Sequence, residues 1–391
     1  MSRLLFVFDI GFDRGGPSVH LLQDVIREGL NHGNEIEVIL KKTGGQDAEM
    51  PTEFSENAHF TYFTIDEKNS KKSFIGRYFE EIKYARKCSK LFLKRGKYDA
   101  VFLQSNVAAY FYMRYLKKLG CRIVFNVQDI FPYNLKFSEQ LPLEIITFPV
   151  FRKLQNMGYK MADSIITISD DMKQTLIEDG VDENRIEVIY NWSYSDSPIT
   201  LEDISPANFY DLKMDHDKFN VVYAGNIGKM QNVELIAKTA RELRDDTSVQ
   251  FYVIGDGSNK KKLENISNGL KNIIFLPFQP SFFAESIYAQ ADLNVIPLMP
   301  GGIKTALPSK TATVLRVNKP VAFCVGRDNI FARLVEDDER VFFTETGNPQ
   351  ELVEVIKKLR SNTNTQKTYR IKNMSVFSTV NAKKYIDYMV R

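Results

Sequence analysis

Short apolar runs rich in β-branched and aromatic residues alternate with helical patterns along most of this chain, and that alternation limits the folds open to it. Residues 4–8, 35–40, 59–65, 100–104, 122–127, 164–168 and 186–190 read as strands. Helical patterns separate most of them, at 19–30, 74–93 and 171–178, the last with Ser169 placed to cap it. A strand, a helix and a second strand make a parallel βαβ unit, so the series predicts a doubly wound sheet.

The pattern breaks at 192–217, where Ser193, Ser195, Ser197, Pro198 and Pro206 cluster. It then restarts, with strands at 220–224, 250–254, 273–276, 293–297, 321–325 and 341–343. Helices are expected at 233–243, 260–266, 281–289, 309–317 and 351–359. A chain of 391 residues exceeds what one core usually organises. Two α/β domains are therefore expected, at 1–195 and 218–375, joined by 196–217. A last helix in 376–391 has no strand after it and is expected to pack back on the first domain.

Composition narrows the partners. A formal net charge of +3 is small for a whole-chain nucleic-acid binder, and no nucleic acid is expected. Cys88, Cys121 and Cys324 are odd in number and far apart, which argues against a disulfide framework and for a reducing compartment. The first apolar run is too short for a signal peptide and is broken by Asp9. Nothing approaches the roughly 18 uncharged apolar residues of a membrane span. A cytoplasmic location is expected, with any membrane contact peripheral.

Ligands of doubly wound sheets bind where strands end and loops converge. Five such turns carry candidate residues. Asp13-Arg14-Gly15-Gly16 follows the first strand and opens a helix, so its backbone can approach an anion. Gly225-Asn226-Ile227-Gly228-Lys229 repeats that logic in the second series, with Lys229 as a counter-charge. Gly255-Asp256-Gly257 ends the next strand. Gly301-Gly302-Ile303-Lys304-Thr305 leads to Pro308-Ser309-Lys310, and Pro308 suits a first helical turn. A lysine there opposes the helix dipole, which a bound phosphate would explain. Gln128-Asp129 ends a first-series strand and places Asp129 to orient a substrate hydroxyl or take its proton. Each has a competing reading without a ligand: a bare turn, a solvated lysine or, for Asp129, a turn cap. His20, His32, His59 and His216 lack ligand spacing, and Asp215-His216-Asp217 falls in the expected connection, so no metal site is expected.

Residues 68–160 hold nineteen Lys and Arg against six Asp and Glu, with Phe74, Tyr78, Phe79, Tyr84 and Phe92 interleaved. Basic and aromatic side chains on one face suit an anionic membrane surface or a pyrophosphate-linked lipid. A solvated face over ordinary core aromatics is the alternative.

Together these stretches resemble family-4 glycosyltransferases of the GT-B fold over nearly the whole chain. Gly15-Gly16 after the first strand carries the resemblance, with "ADSIITISDDMKQTL" running to "IEVIYNWSYSD". So do "VVYAGNIGKMQNVELIAKTA" and "VIGDGSNKKKLE" followed by "IIFLPFQP" and "AQADLNVIPL". "VQDIFP", "GNIG" and "PSKTATVLRVNKPV" look like the branch that builds bacterial capsule, O-antigen and similar exopolysaccharides. The resemblance implies two doubly wound Rossmann-like domains facing a central cleft. It implies retaining, metal-independent transfer of a hexosyl or N-acetylhexosaminyl group from a UDP-linked donor. The acceptor would be a saccharide or a polyprenyl-pyrophosphate-linked saccharide, with no cofactor besides the substrate. It puts Gly16, Gly228 and Lys229 near the diphosphate, Phe278 and Gln279 near the nucleobase, and the loop before Pro308 against the sugar. The implied donor set is Gly15, Gly16, Gly225, Asn226, Gly228, Gly255, Asp256, Phe278, Gln279, Gly302, Lys304, Thr305, Pro308, Ser309 and Thr313. Asp13, Arg14 and Gln128 would face the acceptor, and Asp129, Lys229 and Lys310 the reacting groups. The family's two glutamates eight apart are replaced by Thr305 and Thr313, and its Arg/Lys pair by Asn226 and Gln231. A non-catalytic partner subunit, or an epimerase or hydrolase of the same fold, are the other functions these residues allow.

Overall fold

The apolar runs become strands of two parallel sheets in the computed structural model, which describes residues 1–12, 19–42, 50–66, 74–137, 139, 141, 143–193, 196–361 and 374–391. Contacts divide the chain into two units, Met1–Asn191 with Thr379–Arg391, and Trp192–Ser378. In the first unit the strands are β1 (Arg3–Val7), β2 (Glu35–Lys42), β3 (Phe60–Asp66), β4 (Ala100–Gln104), β5 (Arg122–Val127), β6 (Ser164–Thr167) and β7 (Ile186–Val188). They lie in the order β3-β2-β1-β4-β5-β6-β7. Its helices are α1 (Val19–Asn31), α2 (Thr52–Ser55), α3 (Phe74–Arg95), α4 (Ala109–Leu116), α5 (Tyr133–Phe137), α6 (Glu144–Met161) and α7 (Asp170–Glu178). Ser169 caps α7 by accepting from the Met172 amide at 3.2 Å. The sequence pattern did not reveal α4, α5 or α6. Their Tyr, Phe and Ile residues favour helix weakly, and Pro149 lies inside α6.

The second unit carries β8 (Phe219–Ala224), β9 (Val249–Ile254), β10 (Ile273–Leu276), β11 (Leu293–Pro297), β12 (Val321–Cys324) and β13 (Val341–Phe343), in the order β10-β9-β8-β11-β12-β13. Its helices are α8 (Glu234–Glu242), α9 (Lys260–Ile266), α10 (Ala284–Gln290), α11 (Thr311–Arg316), α12 (Ile330–Val335) and α13 (Pro349–Ser361). Val221, Phe251, Val253, Leu293 and Val295 form the sheet side of its core, met by Leu235, Ile236 and Ala240 of α8 and Leu352 and Ile356 of α13. Strand order reverses between β1 and β4 in one sheet and between β8 and β11 in the other. Loops there diverge to opposite faces and leave a crevice. Among the described residues no helix is long and apolar enough to cross a membrane.

The segment expected as the connection packs with residues of the second unit. Ile199 N donates to Arg316 O at 3.1 Å, and Arg316 Nη1 returns a bond to Ser197 O at 3.1 Å. Further on, Tyr210 N donates to Ser286 Oγ and Leu212 N to Gln290 Oε1. Ile199, Leu212 and Met214 of this stretch are buried, so apolar packing holds it together with these backbone bonds to Arg316, Ser286 and Gln290.

The last helix, α14 (Asn381–Val390), lies against α1 within the first unit. Asn381 Nδ2 donates to Tyr190 O at 2.8 Å, and Ile386 is fully buried. Gly29 of α1 makes room for it, since a Cβ there would stand 3.1 Å from Ile386 Cδ1. Ile386→Ala should lower the stability of the first unit by about 2–4 kcal/mol in denaturant unfolding, through lost burial and the cavity left behind.

Candidate anion-binding site

In the second unit, the turns after β8, β9 and β11 meet. Gly225 N donates to Ile254 O at 2.9 Å, and Ile227 N donates to Asp256 O at 2.8 Å, which laces the β8 turn to the β9 turn. Met299 N donates to Met230 O at 2.9 Å and ties in the β11 loop. Two glycines make the approach possible. Gly225 and Gly255 hold φ of +142° and +151°, and a Cβ on Gly255 would lie 1.9 Å from Gly225 O. The demand on Gly228 is milder, because an added Cβ meets only the flexible ends of Gln231 and Asn226.

Lys310 reaches into this junction. It stands one residue before α11, two residues later than the start expected from Pro308 and Ser309. Its side chain leaves the helix and crosses to β8, where Nζ donates to Ala224 O at 2.7 Å and lies 3.9 Å from the centre of the Tyr223 ring. Burial pushes its ammonium down to about 7. The protein itself therefore supplies partners for this lysine, a carbonyl dipole and an aromatic face, where the sequence alone had called for a phosphate. Tyr288 Oη donates to the same carbonyl at 3.1 Å, and Tyr223 Oη donates to Asn226 O. A carbonyl shared by two donors can release one without being stranded. Lys310 can thus turn from Ala224 to an anion above the Gly225 turn.

The other expected residues fall around this junction to different degrees. Asn226 is exposed and donates to Gln231 Oε1 at 3.2 Å, and Lys229 is half-buried in the turn leading to α8. Asp256 is exposed, with Oδ1 accepting from the Gly257 amide at 2.8 Å. Phe278, 60% exposed, and Gln279, bonded to Pro277 O, follow β10. Gly302 and Lys304 form a short turn after β11. Thr305 is buried and its Oγ1 donates back to Gly302 O at 3.1 Å, whereas Ser309 is exposed and Pro308 and Thr313 are half-buried. Asp13, Arg14, Gly15 and Gly16 lie outside the described residues.

In the first unit, Asp129 lies two residues past the end of β5. It keeps solvent access, but surrounding protein atoms desolvate its carboxyl and raise it to about 7. Gln128 is less available than expected: Nε2 donates to Asn126 Oδ1 and Oε1 accepts from Asn191 Nδ2 at 2.8 Å. A second carboxyl went unnoticed in the sequence. Asp9, just past β1, is raised to about 7 by burial and then by the charge of Glu81, while Lys41 pulls the other way. Asn106, following β4, donates from Nδ2 to both Asp9 Oδ2 at 3.2 Å and Glu81 Oε2 at 3.1 Å. Only the position of Asp9 at the end of an apolar run hinted at it.

Residues 14–192 match the Glycosyltransferase Family 4 profile, and residues 218–362 match Glycosyl transferases group 1. The chain belongs to the family-4 glycosyltransferases. This family member is 27% identical over 219 residues to WcaI of Escherichia coli (strain K12), described as a colanic acid biosynthesis glycosyl transferase, with 52% of each chain covered. It is 26% identical over 226 residues to the glycosyltransferase WbjE of Pseudomonas aeruginosa, covering 56% of this chain and 55% of that one. The matched stretch thus spans about half the length of these curated relatives. Its fold follows that of Anabaena Alr3699/HepE, solved with UDP and glucose, with a TM-score of 0.69 at 16% identity over 99% of both chains. WaaG, of lipopolysaccharide biosynthesis, superposes with a TM-score of 0.65 at 15% identity, covering 98% of this chain and 95% of that one. The two Rossmann-like α/β units are those of the GT-B fold.

Proposed function

We propose that this family member transfers a hexosyl or N-acetylhexosaminyl group from a UDP-linked donor to a saccharide or polyprenyl-pyrophosphate-linked saccharide during cell-surface polysaccharide synthesis. The observation that carries the reading is Lys310, half-buried at the junction of the β8 and β9 turns beside Gly225. A leaving nucleoside diphosphate gains negative charge as the sugar bond breaks. A cation and N–H dipoles already aimed at it lower that barrier most. UDP and UDP-glucose bound to Anabaena Alr3699/HepE support a uridine donor. We assign the acceptor hydroxyl to Asp129, and take the transfer to be retaining and metal-independent, with attack from the face the diphosphate leaves. The reaction would run at the inner face of the cell membrane, on an anionic surface that holds the acceptor.

A second reading keeps one specific observation: the hydroxyl of Thr305, at a place where the family carries glutamate, is bonded to Gly302. A non-catalytic partner subunit would tolerate that loss. The test is release of nucleoside diphosphate across a panel of nucleotide sugars. Release should require both one donor and an acceptor saccharide. Donor loss without acceptor would mark a hydrolase or epimerase. No turnover and no nucleotide binding in calorimetry would mark the partner subunit.

A further inference from the structure

We propose that the first unit docks on an anionic lipid surface through the first turns of α3 and α6, with lysines of the same two helices on the headgroup phosphates. The proposal deepens the membrane partner of the function above and rests on that reading for its purpose, though not for its geometry.

Apart from Phe79, the aromatic residues of this stretch do not form the docking face. Phe74 and Tyr78 of α3 are buried and pack on Phe131 and Phe151, with Tyr78 and Phe151 ring centres 4.8 Å apart. What faces water instead is mostly aliphatic. On α6, Ile145 is 93% exposed, Ile146 66% and Val150 54%. On α3, Ile75 and Phe79 are 43% and 58% exposed. Single surface isoleucines need no explanation, but five large apolar side chains on two helices that touch through Phe74 and Phe151 mark an interaction site. Ile146, Val150, Lys153, Met157 and Lys160 follow one another at three- and four-residue steps, so they line one stripe of α6. The opposite stripe, with Gln155, Gly158 and Tyr159, is buried.

Charge identifies the occupant. Lys153 and Lys160 are exposed on the α6 stripe, beside a shallow groove lined by Phe148, Pro149, Arg152 and Met157. Helix α3 carries seven Lys and Arg against two Glu, and Lys83, Lys87, Lys90 and Lys94 continue outward from Phe79. A second copy of this chain, paired about a two-fold axis, would set these cations against one another. An anionic bilayer takes both parts at once: aliphatic side chains enter the headgroup boundary and lysines meet phosphate. The placement also serves the reaction. α3 follows β3 and α6 follows β5 in parallel βαβ connections, so their first turns lie at the carboxyl edge of the sheet, the edge that holds Asp9 and Asp129. A lipid-linked acceptor would arrive at that edge.

The full chain should co-sediment with phosphatidylglycerol–phosphatidylcholine vesicles and much less with phosphatidylcholine alone. Ile145→Asp/Ile146→Asp should weaken the association by about ten-fold or more, and Lys153→Glu/Lys160→Glu should remove its dependence on the anionic lipid. All four positions are exposed, so the thermal midpoint should not change. Ile146→Trp provides a direct readout, because the native Trp192 is buried: its emission should shift to the blue on anionic vesicles. Unshifted emission in a chain that still sediments would place another face on the lipid and overturn the proposal. So would wild-type behaviour of the Asp variant, or a dimer in solution that the Asp variant dissociates. Diphosphate release with a soluble acceptor should survive the Asp variant. Loss of release in every variant and in the wild type, with vesicle binding intact, would instead defeat the proposed function alone.

Discussion

Lys310→Met should cut the rate of sugar transfer by about 10²–10³-fold, the usual cost of removing one preorganised partner of a developing negative charge. Methionine keeps the length and apolar body of the side chain, and Tyr288 still donates to Ala224 O, so the fold should persist. The pH dependence separates this from a packing defect. Burial has moved the Lys310 ammonium down to about 7, so in the free protein it is charged below that pH and neutral above it. A bound diphosphate favours the charged form, so donor binding above pH 7 must take up a proton, and kcat/KM should fall there by up to about ten-fold per pH unit. Asp129, raised to about 7, is a competent proton acceptor only above that pH and sets the acid limb. The wild type should show a bell centred near neutrality. Lys310→Met should flatten its alkaline side, and Asp129→Asn its acid side. The stability sign is opposite for the two groups. Lys310 binds fewer protons folded than unfolded, so its contribution improves as pH rises from about 7 towards the ordinary lysine value. Asp129 binds more protons folded, so its contribution is fully present below the usual aspartate range and is lost as pH rises towards 7. An alkaline limb that is the same in wild type and Lys310→Met would remove Lys310 from the donor site.

Gly255→Ala should destabilise the second unit by about 3 kcal/mol or more. The added carbon would fall 1.9 Å from Gly225 O, on backbone that cannot swing away, and φ at this residue is +151°. Relief would require the β8 and β9 turns to part, and those turns frame the site of Lys310. Gly269→Ala is the matched control. Its φ is +82°, but nothing lies within 4 Å of an added Cβ, so only the conformational cost of about 1 kcal/mol remains. Thermal unfolding of both variants should show the difference, and nucleotide binding should fail only in Gly255→Ala. Equal losses in the two would mean that the close approach of the two turns is not what the glycine provides.

Much of this architecture is legible in the residues. A strand buried on both faces reads as an unbroken apolar run, so β4, β5 and β11 lie where their sequence places them, and the partly exposed edge strands β10 and β13 are marked by short runs of the same β-branched and aromatic residues. The glycine turns after β8 and β9 announce themselves for the same reason, since no other residue tolerates their backbone. What escaped is what depends on partners far along the chain. Lys310 meets Ala224 across 86 residues, and Asn106 meets Asp9 across 97. Local pattern carries no trace of either. The helix α6 escaped because Pro149 and a run of isoleucine, threonine and phenylalanine argue against a helix that its packing nonetheless sustains.

The return of α14 to α1 also has a consequence for biosynthesis. Asn381 meets Tyr190 across 191 residues of intervening chain. At about 5–20 residues per second, the ribosome needs roughly ten to forty seconds to deliver that helix after β7 has emerged. During this interval the bed that Ile386 will occupy lies open, while the later unit can already form its own sheet. A nascent chain stalled before α14 would therefore carry an unfinished amino-terminal half beside a finished carboxyl-terminal one, and chaperones would find their grip at Gly29 and Ile36.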